Sequence, residues 1–114
     1  MQISIYLPLR LVSEANSRDH WAKKARRAKT ARGDTRAALI PLLAARDTPD
    51  RYRCTITRIG KRRLDTDNLA RAAKAVRDGV ADAVGIDDGD DRITWVYGQE
   101  IGKTYGVRVE IECE

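Results

Sequence analysis

Tyr105, Val107, Val109, Ile111 and Cys113 alternate without a break with Gly106, Arg108, Glu110 and Glu112. Successive side chains of a strand point to opposite faces, so this period of two requires a sheet with one buried and one wetter face. The rest of the chain must then supply partner strands and a cover for the apolar side.

Three more segments read as strands. Ile3, Ile5, Leu7, Leu9 and Leu11 share one phase, but Pro8 cannot donate a ladder hydrogen bond. It limits a central strand to about residues 2–7 or puts the segment at an edge. Tyr52, Cys54 and Ile56 alternate with Arg53, Thr55 and Thr57, up to Gly60, and Ile93, Trp95 and Tyr97 share a third phase. Between them, Leu69, Ala72, Ala73, Val76, Val80, Ala83 and Val84 recur at helical spacing, with Asp67 as the expected N-cap and Gly85 as the stop. Asn16 to His20 read as a turn or a helix start. Trp21 to Ala45 read as helix, in two pieces if Gly33-Asp34 splits it, and bent or ended near Pro41. Trp21 is expected to pack that helix on the sheet. The expectation is one α/β domain over residues 1–114, a four-stranded mixed sheet covered by helices.

Lys and Arg number 22 against 17 Asp and Glu, a formal charge of +5 and a pI near 9.5, which points to a polyanionic partner such as nucleic acid. Arg18, Lys23, Lys24, Arg26, Arg27, Lys29, Arg32 and Arg36 crowd the first helix, and Lys61-Arg62-Arg63 form a second basic group. Such groups hold backbone phosphates without reading bases. A single histidine, His20, and no Cys-x-x-Cys pair exclude the usual zinc sites. Cys54 and Cys113 read as small apolar residues in a reducing compartment. No apolar run suits a membrane span and the start lacks a secretory pattern, so a cytoplasmic protein is expected.

Against this basic background, acidic residues are focused in two places, Asp65-Thr66-Asp67-Asn68 and Ile86-Asp87-Asp88-Gly89-Asp90-Asp91. Carboxylates at i and i+2 of an extended segment point the same way. A third from the second group would complete an oxygen site for Mg2+, with Mn2+ as a substitute. That requires the strand after Asp91 to lie beside the strand before Asp65. The plainer alternative is an Asx turn, an N-cap and a solvated loop. Arg71 and Lys74 lie four and seven residues beyond Asp67, on nearly the same side of the helix, where a cation can orient phosphate or offset developing charge.

From Arg63 through Ile93 the chain resembles the RusA family of Holliday junction resolvases. The residues that carry the resemblance are Asp65-Thr66-Asp67-Asn68-Leu69, a lysine in the following helix and the pair Asp87-Asp88, with Asn16 to Arg32 similar to the family's basic lead-in. The resemblance implies a Mg2+-dependent endodeoxyribonuclease that cuts four-way junctions as a homodimer. It places catalytic, metal-binding carboxylates on Asp65, Asp67 and Asp88, with Asp90 or Asp87 as alternatives for the third. The functional lysine falls on Lys74 if one helical turn is added, and its position on Arg71 if the count is direct. Arg18, Lys23, Lys24, Arg26, Arg27, Lys29, Arg32, Lys61, Arg62, Arg63 and Arg71 would hold the DNA.

Overall fold

The computed structural model describes residues 2–12, 18–44 and 51–113. Among them run β1 (Gln2–Leu7), α1 (Trp21–Ala44), β2 (Tyr52–Gly60), α2 (Thr66–Ala72), α3 (Lys74–Val84), β3 (Ile93–Ile101) and β4 (Gly106–Cys113). Asn16, Ser17 and Ala45, which the sequence reading assigns to a turn and a helix end, lie outside the described residues.

The strands form one mixed sheet in the order β1-β4-β2-β3. β4 lies antiparallel to both β1 and β2, with Val109 opposite Ile5 on one side and Ile56 on the other. β3 runs parallel to β2, Tyr52 beside Ile93 and Gly60 beside Ile101, with α2 and α3 as the crossover. The strand after the acidic turn therefore does lie beside the strand before Asp65. The alternating C-terminal segment sits inside the sheet, while β1 ends before Pro8 and occupies an edge.

One phase of the sheet is dry. Ile3, Leu7, Cys54, Ile56, Val107, Val109 and Ile111 join Ala31, Leu39, Ala72, Ala73, Val76 and Val80 of the helices in a single core. The opposite phase, with Gln2, Ser4, Tyr6, Arg53, Thr94, Val96 and Glu112, is exposed. The helices thus cover one face only.

α1 runs unbroken from Trp21 to Ala44, through both Gly33 and Pro41. The sequence reading allowed a split at the first and a bend or end at the second. Gly in a helix costs about 1 kcal/mol relative to Ala, which the buried stripe of Ala31, Thr35 and Leu39 offsets by packing. That stripe crosses α3 at Gly79, where a Cβ would lie 2.5 Å from the Arg32 carbonyl oxygen and 2.8 Å from Thr35 Cβ. Only a glycine permits this approach. Trp21 does not pack on the sheet: it is 74% exposed, its ring 5.3 Å from that of His20.

The single expected helix after Asp67 is two helices, α2 and α3, meeting at Ala73. The N-cap is Asp65, two residues earlier than expected. Its backbone is extended and its Oδ1 accepts the Asn68 N–H at 2.8 Å. Gly85 ends α3 in the left-handed conformation, φ 86°, a geometry that side chains disfavour. Cys54 is free and buried, and burial pushes its thiol up to about 12, which keeps it protonated and inert.

Candidate functional site

Asp65 and Asp67 stand at the start of α2. Asp65 directs both carboxylate oxygens into its own helix, Oδ1 to the Asn68 backbone and Oδ2 to the Asn68 side-chain amide at 3.0 Å. Asp67 is exposed in the first turn. Leu64, just before them, is fixed to the sheet by a pair of bonds with the Gln99 side chain: its N–H donates to Oε1 and its carbonyl accepts from Nε2, both at 2.8 Å.

Asp88 belongs to a different cluster. After Gly85 the chain doubles back along α3, so Asp88 returns to the helix start. There Lys74 Nζ donates to Asp88 Oδ2 at 3.0 Å and to Asp78 Oδ1 at 2.7 Å. The Arg77 guanidinium donates to the Asp88 carbonyl at 3.0 Å and to the Tyr97 hydroxyl at 2.9 Å, and it lies 4.7 Å from the Trp95 ring centre. Arg77 Nε is 3.1 Å from Asp88 Oδ2, close enough for charge attraction, yet it is buried without a well-directed acceptor. The Trp95 indole N–H closes on the Asp88 carbonyl at 2.8 Å. Lys74, and then Arg77, hold the Asp88 carboxyl below its usual range. Asp78, and then Asp88, raise Lys74.

The two acidic groups meet β3 at different heights. Leu64 bonds Gln99 and Asp88 bonds Trp95, four residues apart on one strand, a separation of about 13 Å at a rise of ~3.3 Å per residue. Among the described residues no three His, Cys, Asp or Glu side chains are grouped so that they could hold a metal ion. Asp90 is taken by Arg92, whose backbone N–H, Nε and guanidinium all donate to it at 2.9 to 3.1 Å. That draws its carboxyl down to about 2. Asp87 is exposed, and its carbonyl accepts from the Asp90 N–H. As arranged here Asp65 caps α2, while Asp88 and Asp90 make ion pairs.

The structure does bring the basic residues together. A groove of about 790 Å³ runs between residues 8–12, the first half of α1 and the junction of α2 with α3. Its floor is apolar, with Leu9, Leu11, Ala28, Ala31 and Ala72. Its walls carry Arg10, Lys23, Lys24, Arg26, Arg27, Arg71 and Lys74, seven cations against the single carboxylate of Asp78. Lys23 and Arg27 lean on Asp19 at 3.6 and 2.8 Å. Arg71 is exposed in the last turn of α2, and Lys74 is held by two carboxylates. Both candidates for the functional cation therefore line one groove.

Other expected DNA contacts are scattered. Arg32 turns to α3 and makes a two-pronged bond to Asp82 at 2.6 and 2.9 Å, tying the helices together. Arg18, Lys29, Arg62 and Arg63 are exposed outside the groove lining. Lys61 lies 5.6 Å from the Tyr105 ring centre.

Sequence reasoning missed Arg10 and Arg58 and gave Arg77 no firm place, whereas Asp78 was legible four residues beyond Lys74, with which it pairs. For Arg58 a signal existed, a cation two residues beyond Ile56 on the apolar phase of β2. Arg10 carries no local signal, because its partner Tyr105 is distant in sequence. No helix among the described residues is long and apolar enough to cross a membrane. In comparisons with known proteins, no family model and no curated protein matches the chain.

Proposed function

We propose that this protein grips the sugar–phosphate backbone of branched DNA in the basic groove and, as its resemblance to the RusA family implies, cuts four-way junctions as a Mg2+-dependent homodimer, with Mn2+ as a substitute ion. The observation that supports DNA binding is the groove lining of seven cations and one carboxylate. Such a surface gains affinity by releasing counterions from phosphates and orients a duplex without reading its sequence. The apolar floor suits the sugar edges between phosphates.

Cleavage rests on the motif residues: Asp65, Asp67 and Asp88 for the ion, and Lys74 or Arg71 for the reacting phosphate. Lys74 presents donors only, so its part is to bind phosphate oxygen, not metal. A specific observation favours a second reading, a junction-binding protein without cleavage. The Asp88 carboxylate is engaged by Lys74 and Arg77, and its backbone meets β3 at Trp95, four residues from the Gln99 that holds Leu64.

The deciding experiment compares a labelled four-way junction with linear duplex of the same sequence, with and without Mg2+. Junction cutting that needs the ion, and is lost in Asp65→Asn, Asp67→Asn and Asp88→Asn while binding persists, is the expected result. Salt-sensitive binding with no cut by the wild type establishes the second reading. Absence of binding removes both. Light scattering on the same samples reads the homodimer.

A further inference from the structure

Arg58 is 6% exposed, and among the described residues its hydrogen bonds go to carbonyls: Nε donates to Leu11 at 2.9 Å and Nη1 to Arg62 at 2.7 Å. It thereby joins the segment after β1 to the loop after β2. Close by, the Arg10 guanidinium sits 4.3 Å from the Tyr105 ring centre and the Lys61 ammonium 5.6 Å from it. Among the described residues, none of these three cations makes an ion pair with a carboxylate. Positive groups crowded this way repel one another, and removal of Arg58 from water adds to the cost. Burial first, and the charge of Arg10 last, push Arg58 below its ordinary value, with Tyr105 opposing them. An ion-paired arginine would show the opposite direction, as Arg108 does beside Glu100.

We propose that Arg10, Lys61 and Tyr105, positioned by Arg58, form a second phosphate site that seats a backbone phosphate of the DNA strand leaving the basic groove. The inference rests on the nucleic-acid reading above and extends it. Arg10 belongs to both places, since it lines the groove and stacks on Tyr105. Lys61 lies four residues before Asp65, so a strand held there is led toward the start of α2. A phosphodiester supplies an anion that the described residues do not place at the cluster. The Tyr105 ring spaces the two cations and holds them by cation–π attraction until the phosphate arrives. Arg58 touches no DNA in this scheme. Its two carbonyl bonds hold the segments that carry Arg10 and Lys61 at a fixed spacing.

The test is a salt titration of duplex binding by fluorescence anisotropy, on variants whose fold is checked by circular dichroism. Each phosphate contact contributes about 0.9 to the slope of log affinity against log salt. Lys61→Gln should make the slope shallower, and Arg10→Gln with Lys61→Gln should bring the loss to about 0.9, the one phosphate that the site seats. Lys23→Gln with Arg26→Gln removes contacts in the groove alone and serves as the reference. A wild-type slope in Lys61→Gln, with a reduced slope in the groove variant, overturns the second site and leaves the proposed function standing. A wild type whose binding does not depend on salt overturns both.

Discussion

Arg58 and Arg77 are two arginines on the helix side of the sheet with opposite electrostatic company. Arg77 lies beside the Asp88 carboxylate and bonds its carbonyl and Tyr97, so its charge is largely offset within the molecule. Among the described residues Arg58 bonds carbonyls, with Arg10 nearby. Carbonyls satisfy the donors of a guanidinium but leave its unit charge in place. The comparison separates two uses of a cation. One, neutralised by a carboxylate, locks the turn after α3 onto β3. The other, bonded to carbonyls, ties the segment after β1 to the loop after β2.

The largest effect expected from this contrast is on stability. Arg58→Met removes the donors to Leu11 and Arg62 and leaves two carbonyls in a buried place, a loss of about 2–3 kcal/mol. Urea denaturation should show it as a lower midpoint. Arg77→Met should lose less, because its partners are closer to solvent, and an equal loss would break the comparison. Next in size is the groove. Lys23→Gln with Arg26→Gln should weaken duplex binding about ten-fold near 0.1 M salt while the denaturation midpoint barely moves. A binding loss matched by a stability loss would mean that these residues serve the fold.

A smaller effect follows from Asp88. Its carboxyl sits below the ordinary 3.8, so its contribution is complete above that pH and disappears as pH falls through the lower folded-state value. Asp88→Asn should therefore cost about 1 kcal/mol at neutral pH, the scale of a partly exposed pair. The variant's stability curve should also be flatter below about pH 4. An unchanged acid limb would show that Lys74 and Arg77 do not hold this carboxylate in solution. The smallest effect belongs to Glu100→Gln on the open face of the sheet, where Glu100 pairs with Arg108 at a partly exposed position. No change of midpoint beyond experimental scatter is expected there.

Much of the architecture was legible in local pattern. The alternation from Tyr105 to Cys113 marks β4, Pro8 limits β1, and Gly85 ends α3. Where local cues misled, a nearer competitor or a distant neighbour decided. Asp67 has the right side chain for a cap, but Asp65 reaches the Asn68 N–H first. Gly33 and Pro41 weaken a helix in isolation, yet α1 continues because Ala31, Thr35 and Leu39 are buried. The candidate site was legible as residue types only. The placement of β3 beside β2 agrees with the expected topology. The heights at which Leu64 and Asp88 meet β3 follow from the bonds to Gln99 and Trp95, which no spacing along the chain encodes.

By itself the sequence determined the strand and helix segments, the buried phase of the sheet and the positive charge of α1. Each of these depends on residues a few positions apart, within reach of backbone geometry. Only the tertiary structure decided that Arg10 meets Tyr105, that Lys74 closes on Asp88 and that Arg71 faces the same groove as Lys23. Those encounters join segments up to ninety-five residues apart. Sheet register and the α1–α3 crossing at Gly79 set them, because a side chain acts over a few ångströms in space whatever its distance along the chain.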